Sequence, residues 1–164
     1  MSVSETRVSG AAGTLNPGFA ALKAGYYGAM MDLRNLKPGL KGTAQLVVGV
    51  EHTAPSIGSG KVPVLATPVM INLIEAAALS AVEHLLPAGH QSLGIHLDVR
   101  HFAATPIGML VTASAVLTAV EDRALSFAVE AHDAKEPIGG GTHQRVVVNV
   151  ARFDARVQRK LGKE

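Results

Sequence analysis

Two ionisable side chains lie in apolar surroundings where a carboxylate or an imidazole could perform acid–base chemistry. Glu75 interrupts an apolar helical pattern, and His101 ends a stretch in which apolar residues alternate. A carboxylate in such a place lies either on a narrow solvent-facing stripe or inside the protein with a partner, and the second arrangement suits catalysis. An imidazole is a candidate general base because its ordinary pKa is close to neutrality.

A hydroxyl completes this set, but each of these residues also has a structural interpretation. Thr67 precedes Glu75 by eight residues on the same i, i+4, i+8 row of a helix. Their backbones would be roughly 12 Å apart, so direct contact within one chain is not expected. Thr67 followed by Pro68 also fits an ordinary helix cap. His101 is equally consistent with a core histidine whose ring is satisfied by its neighbours.

The elements that position these residues follow from the hydrophobic spacing. Apolar residues at helical intervals predict a largely buried helix over 67–86, which Pro87 terminates. The period then changes to two, and counting from Leu93 through alternate residues places His101 on the inward face of a strand.

Further strands are predicted along the rest of the chain, together with an N-terminal helix. The glycines at 139–141 are expected to form a bulge or tight turn before the last strand. Arg145, in an apolar run, is expected to reach a carboxylate or phosphate, or else to face solvent. One buried helix followed by sequential strands favours an antiparallel α+β domain over a parallel βαβ array. The predicted strands are 42–52, 109–120, 124–132 and 142–153, and the helix is 19–36.

Composition excludes several classes of chemistry. The chain of 164 residues fits one domain. The absence of cysteine excludes disulfides, thiolate metal sites and a cysteine nucleophile. The seven histidines show no metal-ligand spacing, so no metal is expected. A net charge of +2 is too small to argue for nucleic acid as a partner.

Targeting signals are also not recognised in the sequence. The first fifteen residues have no apolar core of the signal-peptide type. The apolar stretch 62–74 is interrupted by prolines and Asn72, and is too short to span a bilayer. We therefore expect a cytoplasmic protein without a membrane partner.

Four motifs, in order and at matching intervals, resemble the fluoroacetyl-CoA thioesterase family, a branch of the hot-dog-fold acyl-CoA thioesterases. The resemblance covers about residues 40–160. The motifs run from Ala66 through Glu75, over Ser92–Gly94, over His101–Pro106 and over Gly139–Arg145.

The resemblance implies a curved antiparallel sheet around one long helix, and a homodimer with active sites at the subunit interface. Pairing of dimers into tetramers stays open. The hot-dog domain would span 38–155, after an N-terminal extension at 1–37 and before a basic tail at 156–164. The family's catalytic residues fall on Thr67, Glu75 and His101, and its substrate-binding residues on Gly94 and Arg145. Val62 is also expected among the substrate-binding residues, since it lies in the segment that carries aromatic lid residues in the fluoroacetyl-specific enzyme, although this segment here has none.

The implied reaction is hydrolysis of an acyl-CoA thioester, with coenzyme A as part of the substrate and no separate cofactor. His101 would be the base, Thr67 a hydrogen-bonding partner, and Glu75 either the nucleophile or the group that orients water. A hot-dog protein that binds an acyl-CoA without hydrolysing it is the alternative. A hydratase is less consistent with the sequence, since the hydratase Asp/His motif was not found.

Overall fold

The structure, a computed structural model, describes residues 31–162. Within this range five strands and three helices follow one another, with short 3₁₀ turns at Val50–His52 and Glu83–Leu85. In chain order they are β1 (Lys41–Val47), α1 (Ala54–Ile57), α2 (Thr67–Val82), β2 (His90–His101), β3 (Leu110–Glu121), β4 (Ala124–His132), β5 (Pro137–Asn149) and α3 (Val150–Lys160).

All five strands belong to one antiparallel sheet in the order β1-β3-β4-β5-β2. Helix α2 contacts both β1 and β2, although these strands form opposite edges of the sheet. The sheet must therefore curl around the helix. The predicted α+β architecture, a curved antiparallel sheet around one central helix, is confirmed.

The core lies between α2 and the concave face of the sheet. By length and composition alone, the segment Thr67–Leu85 is long and apolar enough to cross a membrane, which the sequence interpretation of 62–74 did not anticipate. Within this fold, however, one side of the helix packs on the sheet, and burial of that side stabilises the domain. The helix residues that are buried are Met70, Leu73, Ile74, Ala77, Ala78, Ala81 and Val82.

The C-terminal part of the chain differs from the prediction. The last strand begins at Pro137 and ends at Asn149, so the glycines at 139–141 pair within the sheet instead of forming a turn before it. A side chain at Gly139 would overlap the Met70 sulfur, so this glycine allows α2 to approach the strand. Residues 150–153, which were expected to form the end of the last strand, instead form the beginning of α3. Asn149 is the N-cap of this helix. The expected boundary at 155–156 falls inside this helix, and the division into domains stays a prediction.

The predicted N-terminal helix falls mostly outside the described residues. Its part from 31 to 36 forms turns rather than a helix. The Asp32 side chain accepts a hydrogen bond from the backbone N–H of Arg34, which favours a turn. Pro38 disfavours helical backbone at the residue before it, and the chain then enters β1.

A β-bulge in β2 corrects the alternation counted from the sequence. Gly94 pairs with Arg145, whereas the next paired residue, His96, lies opposite Gln144. One extra residue is thus inserted, and residues on its two sides change phase. Gly94 and His101 consequently face α2 together, although regular alternation would place them on opposite faces. Leu93, which was counted with His101, belongs to the convex face.

Replacing a fully buried helix residue should destabilise the fold much more than the same change on the surface. The Ile74 side chain is 0% exposed and that of Ile107 is 47% exposed. Ile74→Ala is expected to lower the free energy of unfolding by about 2–5 kcal/mol, because it removes buried methyl groups and leaves a cavity. Urea unfolding at one fixed protein concentration measures the change. Ile107→Ala is the matched control, and equal losses in the two variants would contradict this packing.

Candidate active site

The start of α2 and the end of β2 bring Thr67 and His101 into contact. The Thr67 hydroxyl oxygen and the His101 Nδ1 atom form a hydrogen bond of 2.9 Å. Backbone hydrogen bonds hold the two segments together, since the Leu65 N–H donates to the Thr105 carbonyl and a β-bridge joins Val64 to Pro106. The pair is therefore positioned by the backbone on both sides.

The Thr67 hydroxyl is not a helix cap, contrary to the structural interpretation of its sequence position. Helix α2 begins at Thr67 itself, with Ala66 as the N-cap residue and no side-chain capping hydrogen bond. Pro68 occupies one of the first helical positions, where its missing N–H has no cost. The hydroxyl is therefore available to orient the His101 ring.

The environment of the His101 imidazole favours its neutral form. Burial lowers the pKa of His101, because a charged ring would lose hydration. Its Nε2 atom is buried and has no hydrogen-bond partner in the described part of the chain. An unprotonated imidazole held through Nδ1 with a second nitrogen unpaired has the chemical character of a general base.

A groove with a volume of about 360 Å³ lies beside this pair. Its lining is mainly small and aliphatic, with Phe102 as the single aromatic side chain. Val62, expected among the substrate-binding residues, is exposed and does not line the groove. The nearby Val64 does, because the β-bridge to Pro106 turns this part of the segment inward. The lining residues are Ala54, Ser59, Val64, Leu65, Ala66, Thr67, His101, Phe102, Ala103 and Ala104.

Glu75 lies on α2 against a second group of residues from β2 and β5. Its carboxylate oxygen Oε1 is 3.6 Å from the Arg145 Nη1 atom and 3.7 Å from the His143 Nε2 atom. A Cβ atom at Gly94 would overlap that oxygen, so only glycine leaves room for the carboxylate here. The Glu75 side chain is 35% exposed, which leaves it accessible to water or a ligand.

Arg145 is buried in β5 and is not the surface arginine that the sequence left open. The residue is 4% exposed, and its guanidinium donates to the Ser92 hydroxyl at 2.9 Å and to the Ser92 carbonyl at 2.8 Å. Burial lowers the pKa of Arg145, while the carboxylates of Glu75 and Glu83 act in the opposite direction. The carboxylate that Arg145 reaches is thus Glu75.

His143 was missed by the sequence interpretation. His143 is 0% exposed. Its Nδ1 atom lies 2.9 Å from the His96 carbonyl oxygen, and its Nε2 atom lies 3.2 Å from the Arg145 Nη1 atom. Because Arg145 can only donate, Nε2 must accept and Nδ1 must carry the proton. The ring is therefore neutral, consistent with a pKa lowered by burial and by the Arg145 charge. Alternation along β5 places it beside Arg145, which was the available signal.

The structure therefore places the expected site residues in two groups. One contains Thr67 and His101, and the other contains Glu75, Gly94 and Arg145. No hydrogen bond or ion pair within residues 31–162 joins the two groups, which agrees with the separation expected along the helix. In the same range, no three His, Asp or Glu side chains form a group that could hold a metal ion.

Known proteins are similar to this chain in sequence and in fold. The family model described as fluoroacetyl-CoA-specific thioesterase matches residues 48–151. The fluoroacetyl-CoA thioesterase of Streptantibioticus cattleyicolor is 45% identical over 97 residues, which are 59% of this chain and 70% of that protein.

Solved structures agree with the sequence match. A structure of the fluoroacetyl-CoA thioesterase FlK is 37% identical, with a TM-score of 0.73, and the similarity covers 76% of this chain and 97% of that chain. A variant of FlK has been solved in complex with fluoroacetate and CoA. A hot-dog-like protein from Thermanaerovibrio acidaminovorans is 24% identical, with a TM-score of 0.73, over 82% of this chain and 100% of that chain. It shows the fold alone, and the predicted hot-dog fold is thereby confirmed.

The buried His143 and the half-buried His101 should make stability depend on pH. Burial lowers the pKa of both His101 and His143, so the unfolded chain binds their protons at a higher pH than the folded chain. Their contribution is complete above the ordinary histidine pKa of about 6.5 and is lost as the pH falls through the lowered pKa values. We expect Tm to fall between about pH 7 and about pH 5, and to fall less steeply in His143→Gln.

Thermal unfolding across this pH range measures the effect. His132→Gln is the control, because this histidine is exposed on β4. An identical pH dependence in wild type and His143→Gln would contradict the neutral, buried state of His143.

Proposed function

The chain belongs to the fluoroacetyl-CoA-specific thioesterase family, and from this membership we propose that it hydrolyses an acyl-CoA thioester to the free acid and coenzyme A. It is an enzyme of the thioester hydrolase class. The hydrogen bond between Thr67 and His101, at the edge of an apolar groove, is the observation that carries the proposed mechanism. The groove would receive part of the acyl-CoA.

His101 acts as the general base in this proposal. The Thr67 hydroxyl oxygen accepts a hydrogen bond from the Nδ1–H and orients the ring, which leaves the unpartnered Nε2 as the atom that takes a proton from water. The lowered pKa of His101 keeps the ring in its basic form at neutral pH. The proton then passes to the sulfur of the departing coenzyme A.

Glu75 acts at the carbonyl carbon of the thioester. It either orients the attacking water or attacks directly, in which case an acyl-glutamate forms and water then hydrolyses it. Arg145 holds the Glu75 carboxylate in place through their ion pair. The Gly94 N–H donates to the oxyanion that develops on the carbonyl oxygen. Trapping of an acyl-enzyme by hydroxylamine would separate the two routes.

A homodimer would unite the two groups of site residues. Within the described residues, β2 pairs on one side only, with β5, so a strand of 12 residues forms a sheet edge. Such an edge presents unpaired N–H and C=O groups that a second copy can pair with. In the proposed dimer, Thr67 and His101 from one subunit face Glu75 from the other.

Thiol release from a panel of acyl-CoA thioesters tests the activity and the base together. The wild-type protein should release free thiol from at least one of them, and His101→Ala should lower kcat by roughly 10²-fold or more, because it removes the base. His132→Ala, at an exposed histidine, should retain the wild-type rate. Binding of acyl-CoA without release would indicate a binding protein instead, and near-normal turnover in His101→Ala would exclude this base.

Mixing two inactive variants tests whether the site is shared between subunits. A hybrid dimer of His101→Ala and Glu75→Gln contains one intact shared site, because both substitutions fall in the other site. Random exchange of subunits should therefore restore about a quarter of the wild-type rate. A site confined to one subunit would show no recovery, since every copy carries a defect. Exchange is confirmed by mass spectrometry of one isotope-labelled variant.

A further inference from the structure

Glu83 lies where a helix does not favour a carboxylate. It is the C-cap residue of α2, and the carbonyl end of a helix carries partial negative charge. Two hydrogen bonds from Ser92 compensate for this unfavourable interaction with the helix end. The Ser92 N–H donates to Glu83 Oε1 at 3.1 Å, and the Ser92 hydroxyl donates to Glu83 Oε2 at 2.7 Å. Contact with Ser92 therefore explains the position of this carboxylate better than helix formation does.

Ser92 links the Glu83 carboxylate to the Arg145 guanidinium. The serine is 4% exposed, and its hydroxyl has a single proton. Because the Arg145 Nε–H donates to the same hydroxyl oxygen, that proton must point to Glu83. Arg145 also donates from Nη2 to the Ser92 carbonyl. The serine is thus held by Glu83 on one side and holds the guanidinium on the other.

The planar guanidinium links Ser92 to the Glu75 carboxylate in turn. When Nε and Nη2 are both bound to Ser92, the direction of the remaining nitrogen, Nη1, is determined. That nitrogen faces the Glu75 carboxylate at 3.6 Å. The negative charge of Glu83 also supports the buried cation, because it raises the pKa of Arg145. A continuous polar chain therefore runs from Glu83 through Ser92 and Arg145 to Glu75.

We propose that Glu83 and Ser92 are positioning residues, which hold the Glu75 carboxylate beside Gly94 through the buried guanidinium of Arg145. This inference rests on the proposed function, in which Glu75 acts on the thioester. Neither residue touches the substrate in this scheme. Their loss should affect the chemical step rather than the binding of acyl-CoA.

Glu83→Gln tests the proposal with little change in side-chain size. It removes the charge and one acceptor, so Ser92 and Arg145 lose their orientation. We expect kcat to fall about tenfold while KM stays within about twofold. Ser92→Ala should reduce kcat at least as much, and the double variant should be no slower than Ser92→Ala, because the two act in series. Glu136→Gln, at an exposed position, is the matched control.

A measurement that does not depend on turnover separates this inference from the proposed function. The Arg145 Nε–H, which is buried and hydrogen-bonded, should give a slowly exchanging NMR signal in the wild-type protein. In Glu83→Gln its exchange should accelerate at least tenfold, and Glu83→Asp should restore part of the protection and of kcat. A wild-type protein that releases no thiol would overturn the function, whereas an unchanged Nε–H signal in Glu83→Gln would overturn the positioning. A fall in Tm with unchanged kcat would also overturn it.

Discussion

Burial of the Arg145 guanidinium is the constraint on which the arrangement of the second group of site residues depends. An unpaired buried charge costs several kcal/mol, so the guanidinium requires acceptors in every direction in which it can donate. Ser92 and His143 supply neutral acceptors, and the carboxylates of Glu75 and Glu83 supply opposite charge. The absence of a side chain at Gly94 is part of the same requirement, because it lets the Glu75 carboxylate come close to the cation.

Helix α2 links this charged group to the uncharged pair at its start. Thr67 is the first residue of the helix, whereas Glu83 is its C-cap, and Glu75 lies between them. A rigid helix keeps these side chains apart, so one chain presents an imidazole at one place and a carboxylate at another. The two environments differ in character, since His101 is kept neutral by burial while Glu75 faces a cation. In the homodimer proposed above, a two-fold symmetric pair of chains would unite them without deforming the helix.

Much of the fold, and the family, could be predicted from the sequence. The hydrophobic period identified α2 and the sheet, and the motifs identified the family, because both depend on residues close together in sequence. The partners of Arg145 could not be predicted, since they depend on strand register. Glu83 is the second of two carboxylates in the predicted helix, and only the contact with Ser92 distinguishes it from a solvated one. Helix α3 was predicted as the end of a strand and a tail because Val150 and Phe153 extend the apolar run of β5, whereas the Asn149 cap ends it.

The extra residue in β2 acts as a half-period shift between two parts of one strand. Ser92 and Gly94 precede it and His101 follows it, yet all three face α2. Removal of one residue from this stretch would restore regular alternation and turn one end of the strand to the convex face. Either the support of Arg145 or the imidazole would then leave the concave side. The number of residues between Ser92 and His101 is therefore constrained by the chemistry of the site, just as the types of these residues are.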